Sequence, residues 1–239
     1  GPRLDVNDTT AFTYDNFGNV STITNALGHV TQLTSYDNNG NPLTIIAPNS
    51  RVTELTYDAK GQLTSSVSGT HSTQITYDNV GNVTQTTLAS GYTIYQQYDD
   101  ANRLISLMDG LGNAIRHTID AAGNTLQTEI DDPNGLLKAT QTNTFDELSR
   151  LIKITGSQGQ VNRFSYDVNG NLTSVEDGNT NSSHYTFDAL NQAQESTNAE
   201  SGITGFTYDM QGNVTSITSP NGNTTSYTYD SHGNITDRS

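Results

Sequence analysis

The residues of this 239-residue chain best suited to chemistry are aspartates at a fixed period. Asp15, Asp37, Asp58, Asp78, Asp99, Asp120, Asp146, Asp167, Asp188, Asp209 and Asp230 follow one another at 20 to 22 residues, with one interval of 26 between Asp120 and Asp146. A row of carboxylates suggests a ladder of calcium sites or a set of acid–base pairs. The spacing opposes both. If each repeat is a hairpin, equivalent carboxylates lie two strand spacings apart, roughly 9–10 Å. A calcium ion needs its oxygens at about 2.3–2.6 Å. The neighbouring pairs Asp99-Asp100 and Asp131-Asp132 would face opposite sides of a strand. His29, His71, His117, His184 and His232 show no metal-ligand spacing, and there is no Gly-x-Ser-x-Gly elbow, phosphate loop or cysteine. The chain therefore reads as non-catalytic, with no metal site and no cofactor.

The neighbours of each Asp show what positions it. An aromatic ring precedes it at Tyr14, Tyr36, Tyr57, Tyr77, Tyr98, Phe145, Tyr166, Phe187, Tyr208 and Tyr229; only Ile119 breaks the series. Three residues after it stands Gly18, Gly40, Gly61, Gly81, Gly123, Gly170, Gly212 or Gly233, replaced elsewhere by Asn102, Ser149 and Asn191. Before the Asp, segments such as "TQITYD" (73–78) alternate, with Ile75 and Tyr77 on one face, which is a strand signature. Asp is favoured at the first position of a type I turn, and Gly supplies the left-handed residue of the bulge that closes such hairpins. A second strand follows, with Val20, Leu63, Val83, Leu104, Leu151, Leu172, Val214 or Ile235 six after the aromatic. Further glycines at Gly28, Gly91, Gly112, Gly159 and Gly222 mark a second turn. Each repeat is thus two strands and two turns, and neighbours must pair edge to edge, because a lone hairpin is marginal in water. The prediction is an all-β array of eleven repeats in a continuous twisted or spiralling sheet, a partial shell or barrel.

Composition fits a repeat array. Apolar residues make up 31% and charged residues 15%, so a thin core shared between neighbours is expected rather than a deep one. The tyrosines are expected to form that core. A formal net charge of −15 with scattered Lys and Arg argues against nucleic acid and anionic membrane surfaces as partners. No run of about 18 apolar residues points to a membrane-spanning helix. Residues 1–11 read as a lead-in whose Gly1-Pro2 resembles a protease-cleavage scar, and residues 12–239 read as the array.

The phrase Tyr-Asp-x-x-Gly-Asn-aliphatic-Thr, as in "TYDNVGNVT" (76–84) and "TYDMQGNVT" (207–215), resembles the YD-repeat or Rhs-repeat family over residues 12–239. Family members commonly write Arg after the Gly, where this chain mostly writes Asn. The family includes bacterial Rhs polymorphic toxins, the C component of insecticidal toxin complexes, wall-associated proteins and teneurins. The resemblance implies a β-sheet ribbon that in the toxins forms a shell around a toxin domain, and in teneurins serves adhesion at the cell surface. It implies a secreted or cell-surface parent protein, with the rest of that protein and an enclosed toxin as partners. The alternative is an adhesion module binding glycans or proteins, with tyrosines stacked on sugar rings. The toxins also cleave themselves at a phrase like Asp-Pro-x-Gly-Leu. Here "DDPNGL" (131–136) sits mid-array and reads as an ordinary turn, within a longer loop expected near 131–139 to absorb the 26-residue interval.

Overall fold

A computed structural model describes residues 9–239; the suspected scar at Gly1-Pro2 lies outside them. The described residues form 22 strands and no helix. The chain divides into two units, Gly1–Arg116 with Asp131–Leu136, and His117–Ile130 with Leu137–Ser239.

The first unit holds β1 (Ala11–Tyr14), β2 (Val20–Thr24), β3 (Val30–Tyr36), β4 (Pro42–Ile46), β5 (Val52–Tyr57), β6 (Leu63–Ser68), β7 (His71–Tyr77), β8 (Val83–Leu88), β9 (Thr93–Tyr98) and β10 (Leu104–Asp109). The unit boundary runs through β11 (Ala114–Ile119) and β12 (Thr125–Asp131). The second unit continues with β13 (Leu137–Phe145), β14 (Leu151–Thr155), β15 (Val161–Tyr166), β16 (Leu172–Glu176), β17 (Ser182–Phe187), β18 (Ala193–Thr197), β19 (Ile203–Tyr208), β20 (Val214–Thr218), β21 (Thr224–Tyr229) and β22 (Ile235–Arg238). Ladders are antiparallel between sequence neighbours, so connections stay short and contacts stay local. Within its unit, β1 pairs only with β2 and β22 only with β21 among the described residues, so neither unit closes on itself.

The alternation read in the sequence sets the faces. In β7, Ile75 and Tyr77 are half-buried while Gln74 and Thr76 are exposed. The other face is paved with hydroxyl pairs: Thr76 with Thr84 at 3.0 Å, Thr56 with Thr64 at 3.0 Å, Thr207 with Thr215 at 2.8 Å. Each Tyr-Asp hairpin also carries a kink. In the hairpin of β7 and β8, Thr76 faces Gln85 but Tyr77 faces Val83, so Thr84 is an extra residue on one strand. The same shift occurs next to the aromatic in ten hairpins. Such a bulge bends the strand and increases local twist.

The ladders between hairpins are short. That from β20 to β21 has three pairs, Ser216↔Ser226 to Thr218↔Thr224, and that from β2 to β3 runs only from Thr22↔Gln32 to Thr24↔Val30. They therefore hold one side of the sheet and stop before reaching the Tyr-Asp turns. The core is as thin as the composition predicts: Tyr36, Tyr57, Tyr77, Tyr98, Tyr166, Tyr208 and Tyr229 are half-buried, and among described residues the only buried apolar side chain is Ala114 and no large side chain is fully buried. One expectation needs correction: there is no longer loop near 131–139. The extra residues go into long strands, seven residues in β12 and nine in β13. Between them Asp132–Leu136 makes an ordinary five-residue turn, Asp132 N–H bonding Leu136 O at 2.9 Å. Asp131 is buried and pairs with Arg116, so the two adjacent carboxylates do separate work.

Candidate functional site: the Tyr-Asp turn row

The eleven Tyr-Asp turns share one backbone. In the turn Asp78–Asn82, Asp78 N–H bonds Asn82 O at 2.9 Å and Gly81 N–H bonds Asp78 O at 3.3 Å. The slot three after the Asp has positive φ in every copy, from 60° at Asn102 and Ser149 to 109° at Gly81. A side chain there meets left-handed strain, which Gly avoids.

The carboxylate is consumed inside the turn. Asp78 Oδ1 accepts the N–H groups of Val80, Gly81 and Asn82 at 3.0, 2.8 and 2.9 Å, and Oδ2 accepts Asn82 Nδ2 at 2.9 Å. Asn19, Asn41, Asn124, Asn171, Asn213 and Asn234 repeat this amide clamp at 2.8–3.0 Å. Arg103 and Arg150 do the same with Nε at 2.7 Å. Asn and Arg after the Gly are thus two solutions to one task, donating to the second carboxylate oxygen. Gln62 is a different case, for its Nε2 reaches the next turn at Gly81 O, 3.4 Å away.

These bonds keep the carboxylates ionised. The Asn171 amide, opposed by burial and supported by backbone N–H groups, holds the Asp167 carboxyl below its ordinary range. At Asp78 burial pushes the other way, and the Asn82 amide and three backbone donors outweigh it. At Asp99 the Arg103 N–H and then its guanidinium depress it. A carboxylate that accepts three or four donors has little lone-pair capacity left for a cation. Among the described residues no group of three or more His, Cys, Asp or Glu could hold a metal. A proton donor needs a raised pKa, and these shift the other way.

Tyrosine hydroxyls tie one repeat to the next. Tyr77 Oη donates to Leu63 O at 2.8 Å, Tyr166 to Leu151 O at 2.9 Å, Tyr208 to Ala193 O at 2.8 Å and Tyr229 to Val214 O at 2.7 Å; Tyr36 donates to Val20 O. Each acceptor is the carbonyl six residues after the preceding aromatic, beyond the reach of the short inter-hairpin ladder. Where Phe145 has no hydroxyl, Asn143 Nδ2 supplies the bond to Thr125 O at 2.9 Å. Arg150 adds a further tie: its guanidinium lies 4.9 Å from the centre of the Tyr166 ring and bonds Asp167 O at 3.0 Å.

The turns also bond each other where Gly is absent. Asn82 Nδ2 donates to Asn102 Oδ1 at 2.9 Å, Asn171 Nδ2 to Asn191 Oδ1 at 2.8 Å and Asn124 Nδ2 to Ser149 Oγ at 3.1 Å. The three residues that carry left-handed strain thus each gain a partner from the preceding turn. Open polar notches remain between adjacent turns, such as one of about 640 Å³ lined by Asp15, Asn19, Ser35 and Asp37.

The Asn that follows the Gly was readable as part of the repeated phrase, but its role was not. The signal lay in the substitution itself, since Asn and Arg share only the ability to donate. The tyrosine latch left no mark in the sequence beyond the preference for Tyr over Phe.

Comparison with known proteins places these features. The family model described as Teneurin YD-shell matches residues 2–135, and the RHS Repeat model matches 145–182, 166–204, 187–224 and 208–239. A solved Photorhabdus luminescens Tc holotoxin pore contains a chain with TM-score 0.54 and 19% identity, covering 96% of this chain and 15% of its own length. A TcdB2-TccC3 structure matches at TM-score 0.48 and 18% identity, over 96% of this chain and 16% of the other. At these identities the likeness is one of fold. No curated protein matches the chain.

Proposed function

The chain belongs to the teneurin YD-shell family, and on that premise we propose that it is a non-catalytic wall segment of a larger YD-repeat protein. The observation that carries this reading is the use of the polar groups. The carboxylates of the row, and most of the amides and hydroxyls beside them, serve turns or inter-repeat ties. A site that turns over substrate keeps some polar groups free to meet it. The chain spans about 15% of the Tc toxin chain it resembles in fold, so it would supply part of a wall and leave the remainder to the rest of the parent. The partner class is a cargo domain of that same protein, a toxin by analogy with the Tc neighbours, in a secreted or cell-surface setting. Glycan binding gains no support from the hydroxyls of Tyr36, Tyr77, Tyr166, Tyr208 and Tyr229, which are already bonded to backbone carbonyls.

The test is cargo protection in the parent protein. Protease should spare the downstream domain while the array is intact. It should cut that domain once several turns are broken together by Asp78→Ala, Asp167→Ala and Asp209→Ala. Equal protection in both forms overturns the reading.

A further inference from the structure

Asn stands directly before Gly at four places, Asn39, Asn134, Asn169 and Asn221, and each pair lies at the exposed tip of a five-residue turn. An Asn side chain in that position can close on the next backbone nitrogen, because Gly has no Cβ to block the approach. The four turns differ in the residue that opens them. Asp37 Oδ1 accepts the Asn39 and Asn41 N–H groups, both at 2.9 Å. Asp167 Oδ1 accepts those of Asn169 and Asn171 at 2.9 and 2.8 Å, and Asp132 Oδ1 those of Asn134 and Leu136 at 2.9 and 3.0 Å. The fourth turn opens with Ser219, whose Oγ is buried and bonds none of the N–H groups of its turn. We propose that Asn221 is a site of spontaneous covalent modification, converting to aspartate and isoaspartate ahead of the other three, and that the isoaspartate form loosens the joint between β20 and β21.

Asp-Pro-Asn-Gly at 132–135 and Ser-Pro-Asn-Gly at 219–222 differ only in the opening residue. Gly135 and Gly222 are both left-handed, at φ 74° and 80°, and neither has an atom within 4 Å of a Cβ position. Gly135 N–H bonds Asp132 O and Gly222 N–H bonds Ser219 O, each at 2.9 Å. With the Gly N–H so held, reaction proceeds from the opened turn, and its rate follows how often the turn opens. A carboxylate that accepts two N–H groups keeps the turn closed, since charge-assisted hydrogen bonds are the strong ones. Its charge also opposes loss of the Gly proton. Asn221 has neither restraint. In the opened turn the Gly222 N–H gives its proton to hydroxide, and the nitrogen attacks the side-chain carbonyl carbon of Asn221. The bond from that carbon to Nδ2 breaks, and Nδ2 takes a proton from water and leaves as ammonia. Water then opens the cyclic imide at either carbonyl, giving aspartate or isoaspartate. Nothing is oxidised or reduced. In isoaspartate the backbone runs through the side chain and gains a carbon. The turn must bring Ser219 N–H to Asn223 O at 2.8 Å, and the ladder beyond it has only three pairs, so a longer backbone there disturbs the whole joint.

The full chain is aged in mildly alkaline buffer and mapped by mass spectrometry that separates aspartate from isoaspartate. Asn221 should convert about tenfold faster than Asn134, the effect of one charge-assisted hydrogen bond on an opening equilibrium. Asn39 and Asn169 should be as slow as Asn134. In urea the four rates should converge, because no turn then restrains them. Ser219→Asp should slow Asn221 to the rate of Asn134, and Asp132→Ser should raise Asn134 to that of Asn221. Circular dichroism checks that each variant is folded. If one does not fold, the other variant and the comparison of native with urea-unfolded chain decide. Equal rates at Asn221 and Asn134 in the folded chain, a difference that persists in urea, or a folded variant whose rate does not move overturns the site. Amide exchange then reads the consequence. β20 and β21 should exchange faster in the aged chain than in the fresh one, and the aged Asn221→Gln variant should match its fresh form. Unchanged exchange in the converted chain overturns the loosening of the joint.

Discussion

The repeats end in two rows of turns, and the rows differ. On the Tyr-Asp side all eleven turns open with Asp. The opposite row uses the same five-residue backbone: Leu88 N–H bonds Tyr92 O at 2.9 Å and Gly156 N–H bonds Gln160 O at 2.9 Å. Yet it opens with Asn25, Ala47, Leu88, Asp109, Asp132, Gly156, Asp177, Asn198 or Ser219. One connection shrinks to two residues, with Gly69 at φ 62°, as the first central residue of a II′ turn. The carboxylate is therefore not needed to make this turn. It is needed where the sheet lacks its ladder. Opposite-row turns are continuous with inter-hairpin pairs such as Thr24↔Val30. Tyr-Asp turns stand beyond the last such pair, next to a bulge, and only side chains hold their neighbours in place.

Acid should separate the rows most strongly. Nine carboxyls of the Tyr-Asp row are depressed below the ordinary 3.8, among them Asp15, Asp37, Asp120, Asp209 and Asp230, each chiefly by the Asn amide of its clamp. On the opposite row Asp109 and Asp177 are depressed, and its other turns mostly open without a carboxylate. A depressed folded pKa means stability that is present above the ordinary carboxylate value and lost as pH falls through the folded value. Stability should hold to about pH 4 and fall steeply below it. Amide exchange should open the Tyr-Asp turns before the opposite row. Simultaneous opening of both rows would break the comparison.

A single substitution in the left-handed slot comes next. Gly81→Val should cost about 1–2 kcal/mol from the left-handed backbone. A Cβ there would also come within 3.0 Å of Gln62 Nε2, which must move. Denaturant unfolding followed by a probe near the fourth repeat measures it, since a repeat array can unfold in parts. A loss equal to that of Val80→Ala, at the exposed turn tip, would show that the slot carries no strain.

The latch is worth less. Tyr166→Phe removes one hydroxyl from Leu151 O and should cost about 1 kcal/mol. Phe187→Tyr, facing the equivalent carbonyl of Leu172, should recover part of that amount in its own repeat. If neither change moves the thermal midpoint, short ladders alone join the repeats.

The smallest effect tests compensation. Gly61→Asn puts an amide where Asn41 can donate to it, for Asn41 Nδ2 lies 3.5 Å from the Cβ position. The pair would copy Asn82 and Asn102. The cost should be a few tenths of a kcal/mol, clearly below that of Gly61→Ala, because Asn tolerates the left-handed region best after Gly. Equal cost for Asn and Ala would show that the turn-to-turn bond contributes nothing.

What the sequence by itself determined is local. The two-strand repeat, the type I turn and the glycine slot all follow from residues within five positions of each other. In that span an Asp carboxylate and the N–H groups after it must meet whenever the turn forms. The face of Ile75 and Tyr77 was legible for the same reason, since alternation is a property of one strand. Only the tertiary structure decided the rest. The bulge beside each aromatic depends on which residue of one strand faces which of the next. The tyrosine latch spans 14 to 16 residues, and its acceptor is a carbonyl that any residue type would present. The placement of the added residues in the long strands β12 and β13 was likewise decided by the structure.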